Sequence, residues 1–413
     1  MRYTKLLIAL FVMALYSCDE KQNEKEIIDP ISGWWKAELT IDSSGLSLPF
    51  FLNISKNDNR WFAEVINGDE RILHKDVSLV NDTLRIQSPV FNSEIIAVID
   101  QNNMTGSFRD YSRGNDYSIP FSAKYNLTHR FSFENELSKG VDGRWLTVFG
   151  PNSENPDTAI GLFEQIEGNR LLGTFLTTTG DYRFLEGGFD GKTMKLSSFD
   201  GSHAFYFGAT YNNDTLTGVF HSGNHWKEDF IAWRDSSVEL EDPYTLTAIK
   251  DGKTPLNLEL PEITGKNFDL DSSCHDQPVI IQIMGTWCPN CMDETIFLSR
   301  NQAKIKDLGV HIVAVTFERR SMEESVEHLN RFKENLGIQY PILFGGKASK
   351  LSAAAVFPQI EHVLSFPTTL FLDKEHKITR VHTGYYGPGT GRYFDAQNNQ
   401  FWRSIHKILP KVQ

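Results

Sequence analysis

The sequence predicts a multidomain chain: two all-β antiparallel repeats, each a small barrel or sandwich, followed by an α/β domain. Three observations carry this. Residues 31–237 alternate apolar and polar in short runs, cut by turn pairs such as Asn57-Asp58, Asn67-Gly68, Asn81-Asp82, Asp190-Gly191 and Asn213-Asp214. Markers within that region recur at a near-constant offset. After residue 255 the texture changes to unbroken apolar strands alternating with helical patterns.

The repeat reads from its markers. Gly33-Trp34-Trp35 returns as Gly143-Arg144-Trp145, and Asn59-Arg60-Trp61 as Asn169-Arg170-Leu171, both 110 residues on. Met104-Thr105-Gly106-Ser107-Phe108 returns as Leu216-Thr217-Gly218-Val219-Phe220, 112 residues on. A duplicated unit of about 100 residues is expected, covering 31–137 and 138–237. Its tryptophans and phenylalanines are expected in cores. His221-Ser222-Gly223-Asn224-His225 reads as a Gly-Asn turn rather than a metal site, since no cysteine or carboxylate stands at ligand spacing.

Composition bounds the function. The 413 residues carry a net charge of −12, with 40% apolar and 23% charged residues. That suits globular domains and excludes nucleic-acid binding of the basic-surface kind. Four cysteines are too few for a disulfide-built scaffold. Residues 1–17 read as an export signal: Arg2 and Lys5 start it, and Leu6–Leu15 is apolar but too short to span a bilayer. Leu15-Tyr16-Ser17-Cys18 resembles a bacterial lipoprotein signal, which implies lipidation of Cys18 and attachment to a membrane. Residues 18–30 would be a polar tether, and the mature chain would carry −14. The expected place is the cell envelope, periplasm-facing, where disulfides are permitted.

Residues 238–255 read as a linker, and 256–413 as the α/β domain. Pro278–Gly285 is a buried strand, Asp293–Leu308 a helix closed by Gly309, and Val310–Thr316 a second strand. Ser321-x-x-Glu324 is a capping box opening a helix with Val326, Leu329 and Leu336 on its apolar face and Gly337 at its end. Strands at Pro341–Phe344, Thr368–Leu372 and Ile378–Thr383 follow, then a helix near Asn399–Leu409. The order β-α-β-α-β-β-α is that of a thioredoxin fold.

Trp287-Cys288-Pro289-Asn290-Cys291 lies where the buried strand hands over to a helix. At a helix N-terminus, free N–H groups and the dipole favour a thiolate at Cys288. Pro289 suits the first helical position, which needs no N–H. Cys291 returns one turn later, close enough to form and break a disulfide and to resolve a mixed disulfide on Cys288. A zinc knuckle would need a second ligand pair, and only Cys274-His275 offers half of one. No metal is expected.

Residues 256–413 resemble the TlpA/ResA-like branch of thioredoxin-fold disulfide reductases, in the wider redoxin group. The matching residues are Trp287-Cys288-Pro289-Asn290-Cys291, Glu294, and Phe366-Pro367-Thr368-Thr369-Leu370-Phe371-Leu372-Asp373. The resemblance implies a cis Pro367 beside the disulfide, with Phe366 offering its backbone to an extended substrate. It places Trp287, Pro289, Phe366 and Pro367 on the substrate-binding face. It implies a redox-active Cys288–Cys291 disulfide with no further cofactor. Glu294 is then a proton relay for the resolving thiol or a wall of the groove; the plain alternative is a helix-surface glutamate. Where ordinary thioredoxins bury an aspartate, this chain has Gln282. Cys274 is left over, as a buried inert thiol or a third redox cysteine.

The function this implies is thiol–disulfide exchange, in the reducing direction by family resemblance. Its partners would be exported cysteine-containing clients and a transmembrane thiol electron donor. The motif alone leaves a disulfide-introducing oxidant open. A peroxiredoxin fails, because Gly285 stands where that chemistry needs Thr or Ser. A binding or adaptor lipoprotein working through its β repeats is the other alternative. Gly387-Pro388-Gly389-Thr390-Gly391 lacks the lysine of a phosphate loop and reads as a flexible rim loop.

Overall fold

The computed structural model describes residues 31–133 and 140–410. The export signal, Cys18 and the tether lie outside the described residues. No helix among them is long and apolar enough to cross a membrane.

The first repeat is a closed barrel of β1 (Gly33–Thr40), β2 (Ser47–Asn57), β3 (Arg60–Asn67), β4 (Glu70–Val80), β5 (Thr83–Gln87), β6 (Ser93–Asp100), β7 (Asn103–Asp110) and β8 (Ser118–Tyr125). Each strand pairs antiparallel with the next, and β8 returns to β1. The second repeat holds β9 (Gly143–Phe149), β10 (Asp157–Gln165), β11 (Arg170–Thr177), β12 (Gly180–Asp181), β13 (Leu185–Phe189), β14 (Thr193–Phe199), β15 (Ala204–Asn212), β16 (Thr215–Ser222) and β17 (Trp226–Arg234). It closes the same way, through β17 on β9, with the two-residue β12 outside the ring and paired to β11.

The three sequence markers fall on the first, third and seventh strands of both barrels. Trp35 and Trp145 are fully buried, and each indole N–H donates back to the carbonyl four residues earlier, Ile31 at 3.0 Å and Val141 at 2.8 Å. Gly106 and Gly218 are glycine because a Cβ there would strike the neighbouring strand's backbone at Ile96 or Gly208. The interiors differ. The first is mainly aliphatic, with Leu39, Leu48, Leu52, Ile54, Val65, Leu84 and Ile86, whereas the second stacks rings, Phe149, Phe175, Phe207, Phe220 and Phe230. Phe199, at the end of β14, packs into the first barrel against Phe50 (4.5 Å) and Phe108 (5.0 Å). Buried Arg130 ties the barrels, donating to Ile66 O (2.6 Å) and Ser197 O (2.9 Å) and pairing with Glu186 (3.2 Å).

The C-terminal domain has β18 (Glu259–Pro261), β19 (Asn267–Asp269), α1 (Leu270–Ser273), β20 (Val279–Met284), α2 (Pro289–Asp307), β21 (His311–Glu318), α3 (Met322–Asn335), β22 (Ile342–Lys347), α4 (Lys350–Val356), β23 (Thr368–Leu372), β24 (Ile378–Thr383) and α5 (Arg392–Ile408). Its sheet runs β22-β21-β20-β23-β24, with β21 and β22 parallel to β20 or its neighbour and the other two antiparallel. Every residue of β20 is buried, as a central strand covered on both faces requires.

Several local expectations shift. The capping box at Ser321 and Glu324 forms with both its bonds, but the buried face of α3 is Ser325, His328, Leu329 and Phe332; Val326 and Leu336 are only half-buried. The last helix begins at Arg392, because the turn at Gly391 (φ 56°) releases it earlier than the apolar pattern suggests. The short α1 and α4 carry too few residues to show a period. Residues 242–255 lie against the sheet: Thr383 N donates to Pro243 O (3.0 Å), Thr247 bonds Thr383 (2.9 Å), and Ile249 bridges Ile360. Gly387–Gly391 is no free rim loop, since Gly387 is buried and donates to Asp181 of the second barrel at 2.5 Å.

Candidate active site

Strand β20 ends at Met284, and the chain turns through Gly285 and Thr286 into α2. Buried Glu318 holds that turn, accepting from Thr286 N (3.0 Å) and its hydroxyl (2.9 Å). Cys288 is the N-cap of α2, with Pro289 first in the helix. Its Sγ accepts from the Cys291 amide at 3.2 Å, so a free N–H of the helix end points at the sulfur. Cys288 and Cys291 form a disulfide, with Cα atoms 5.2 Å apart. Cys291 is fully buried and Cys288 is 4% exposed, which makes Cys288 the sulfur a substrate can reach.

The Phe366–Pro367 bond is cis, and Cys288 Sγ lies 3.3 Å from Phe366 O. The Trp287 indole donates to Phe317 O (2.9 Å) and meets the Phe366 ring edge-on at 5.5 Å. Trp287, Pro289 and Phe366 are half-buried around the sulfur, so the structure gathers all the expected binding-face residues at one place.

Glu294 is no surface residue. It is 2% exposed, under the first turns of α2, accepting from Gln282 (2.9 Å) and Thr369 (2.5 Å) on adjacent strands β20 and β23. Burial pushes its carboxyl up to about 7, against those two hydrogen bonds. Gln282 also reaches the Cys291 carbonyl at 3.5 Å, which links Glu294 to the resolving cysteine. Cys274 packs in the core on the other face of the sheet from the disulfide, 2% exposed, its thiol pushed up to about 11 by burial. That is the environment of an inert thiol.

Sequence reasoning missed the barrels' part. The third-to-fourth, fifth-to-sixth and seventh-to-eighth strand links of both barrels face this end of the C-terminal domain. From the second barrel, the long link 178–184 lies over the start of α2. Asn290 donates to Asp181 O (3.5 Å), and a Cβ at Gly180 would stand 2.5 Å from the Asn290 amide. Arg183, 4% exposed, bonds Pro289 O (3.4 Å) and Asp293 (2.8 Å), and pairs with Glu70 of the first barrel and with Asp200 (3.7 Å). Three carboxylates around one guanidinium crowd each other, and burial pushes Asp293 up to about 7. His203, on the β14–β15 link, bonds Asp200 (3.0 Å) and, through Nε2, the Trp287 carbonyl (3.1 Å). The same link in the first barrel brings Val90 and Phe91 into the hydrophobic core around Cys288, with Phe91 edge-on to His203 at 5.2 Å. The main chain on both sides of Cys288 is thus held by the second barrel.

Residues 248–395 match the family model described as Redoxin. The Bacillus subtilis protein named thiol-disulfide oxidoreductase ResA is 28% identical over 137 residues, 33% of this chain and 69% of that protein. The ResA of Geobacillus kaustophilus is 29% identical over 138 residues, covering 33% and 72%. A putative thiol:disulfide interchange protein DsbE from Chlorobium tepidum overlays at 20% identity and TM-score 0.31, over 38% of this chain and 99% of that one. The C-terminal domain is therefore a redoxin domain of thioredoxin fold, similar in sequence to thiol–disulfide oxidoreductases.

Proposed function

We propose that this protein is a lipid-anchored, extracytoplasmic thiol–disulfide oxidoreductase that reduces disulfides of exported, cysteine-bearing clients. The observation that carries the reading is the Cys288–Cys291 disulfide at the start of α2, beside cis Pro367. In the reduced enzyme the Cys288 thiolate attacks one sulfur of the client disulfide. The other client sulfur leaves as a thiolate, and a mixed disulfide joins client to Cys288. Cys291 then attacks Cys288 Sγ, the client's second thiolate leaves, and the Cys288–Cys291 disulfide forms. Two electrons pass to the client, and a thiol donor on the membrane restores the dithiol. Glu294, half-ionised near pH 7, takes the proton that Cys291 gives up. The cysteine pair needs no cofactor for this chemistry. Cys18 supplies the anchor.

The reduction potential tests the direction. A pair near −270 mV belongs to a reductase, and one near −120 mV to an oxidant, roughly the two ends of the known range. Cys288→Ser abolishes exchange altogether. Glu294→Gln leaves the disulfide able to form but flattens the rise of the resolving step with pH around 7, measured by release of a peptide from its mixed disulfide. A profile unchanged by that substitution removes Glu294 from the proton path. The raised carboxyl also has a stability sign. Glu294 prefers its proton in the folded state, so its burial is tolerated at low pH and costs stability as pH rises from about 4.5 through 7, to roughly 3 kcal/mol at most.

A further inference from the structure

Around Trp287, the residue before Cys288, all three domains contribute to a rim. Trp287 and Phe366 form its floor. The guanidinium of Arg319, at the end of β21, lies over the Trp287 ring 5.0 Å from its centroid. Beside it stand Arg113 and Tyr117 from the β7–β8 link and His225 from the β16–β17 link, with Tyr117 and His225 bonded at 3.2 Å. Burial first, then the Arg113 and Arg319 guanidinium groups, push the His225 imidazole down to about 4.

Of the arginines at this rim, Arg319 alone lacks a direct ion pair with a described carboxylate. Arg113 pairs with Asp110 (3.2 Å), and Arg320 with Glu324 (3.4 Å). Glu318, next in sequence to Arg319, faces inward onto Thr286, and burial pushes its carboxyl up. Arg319 donates to the Ser112 hydroxyl (3.3 Å) and makes no ion pair with any described carboxylate. A half-buried guanidinium with no ion pair of its own, offset only through space by Asp110 and Glu318, stands over the residue that precedes the reactive cysteine. A guanidinium held over an indole by cation–π attraction, with one N–H on a hydroxyl, still has donors to offer a carboxylate.

We propose that the substrate of this site is a cysteine-bearing segment with a carboxylate side chain next to its cysteine, and that Arg319 reads that carboxylate. The inference rests on the oxidoreductase function proposed above and names its substrate class. The client strand runs along Phe366, its sulfur meets Cys288 Sγ, and its acidic side chain crosses Trp287 to Arg319.

The test uses the reduced, mature full-length chain and a set of disulfide-linked peptides, alike except for Glu, Gln or Lys beside the cysteine. Single-turnover reduction is followed by the release of peptide thiol, with neutral hydroxyethyl disulfide as a separate substrate. The Glu peptide is expected to react about 5-fold faster than the Gln peptide, and the Lys peptide slower again. The spread narrows at high salt. Arg319→Gln brings the Glu-to-Lys ratio close to one, while Arg319→Lys retains part of it. Equal rates for the three peptides with the natural chain overturn the proposal while leaving the oxidoreductase reading intact, provided hydroxyethyl disulfide is reduced. Failure to reduce any of these substrates overturns both.

Discussion

The two barrels share their strand order, their buried tryptophan and its bond, and their packed glycine, yet their links differ where they meet the redoxin domain. In the first barrel, the third and fourth strands join through a tight turn at Gly68. In the second, the same link runs over 178–184, forms β12, and carries Asp181 and Arg183 to α2. The fifth-to-sixth link is apolar in the first barrel, where Val90 and Phe91 fill a core. In the second it is polar, where Asp200 and His203 bond main chain. The duplication kept what closes a barrel and changed what faces the disulfide. Closure depends on pairing and interior packing along every strand, whereas a link is free to vary until it acquires a partner.

The sharpest way to break this comparison is Arg183→Met. It leaves buried Asp200 and Asp293, and half-buried Glu70, without their shared cation, which is expected to cost about 3–5 kcal/mol at pH 8. The cost shrinks as pH falls, because Asp293, whose carboxyl burial pushes up to about 7, takes a proton and no longer needs the cation. Urea unfolding at pH 5 and pH 8 measures both. An equal, small loss at the two pH values would mean that the long link does not hold the domains together.

Equivalent tips of different chemistry give a second, smaller contrast. Phe91→Ala empties a fully buried site and is expected to cost about 3–4 kcal/mol. His203→Ala removes the bonds to Asp200 and Trp287 O, for about 1–2 kcal/mol. Its loss of stability should come with faster alkylation of reduced Cys288, since the Trp287 carbonyl is then released. Alkylation at the natural rate would make His203 a purely structural contact.

What the sequence disclosed follows from the range of each interaction. The Cys288–Cys291 pair and its helix were legible because a few adjacent residues fix them. Pro367 and Glu294 were legible through resemblance, although the burial of Glu294 between Gln282 and Thr369 was not, since three separate elements create it. The duplication was legible because Trp35 and Trp145, and Gly106 and Gly218, are demanded by closure. Phe91, Arg183 and His203 sit about 85 to 200 residues before Cys288 in links without periodicity, so no local pattern points from them to the disulfide. The long link around Arg183 leaves no step in the repeat offset, since the fifth strands still start 110 residues apart; the step to 112 falls between the fifth and seventh strands, the stretch that holds Phe91 and His203.

The smallest expected effect sharpens the comparison most. Trp35→Phe and Trp145→Phe each keep a large ring and remove one indole N–H, leaving the Ile31 or Val141 carbonyl without that donor. Each is expected to cost about 1 kcal/mol from the lost bond, plus a small packing loss. The surroundings differ: Trp35 packs against Tyr125 at 5.1 Å, while Trp145 lies under the Arg234 guanidinium at 4.7 Å. If closure is the shared requirement, the two losses agree within about 0.5 kcal/mol despite those neighbours. Should Trp145→Phe cost much more, the cation over its ring carries weight. The second barrel would then have diverged in its wall as well as in its links.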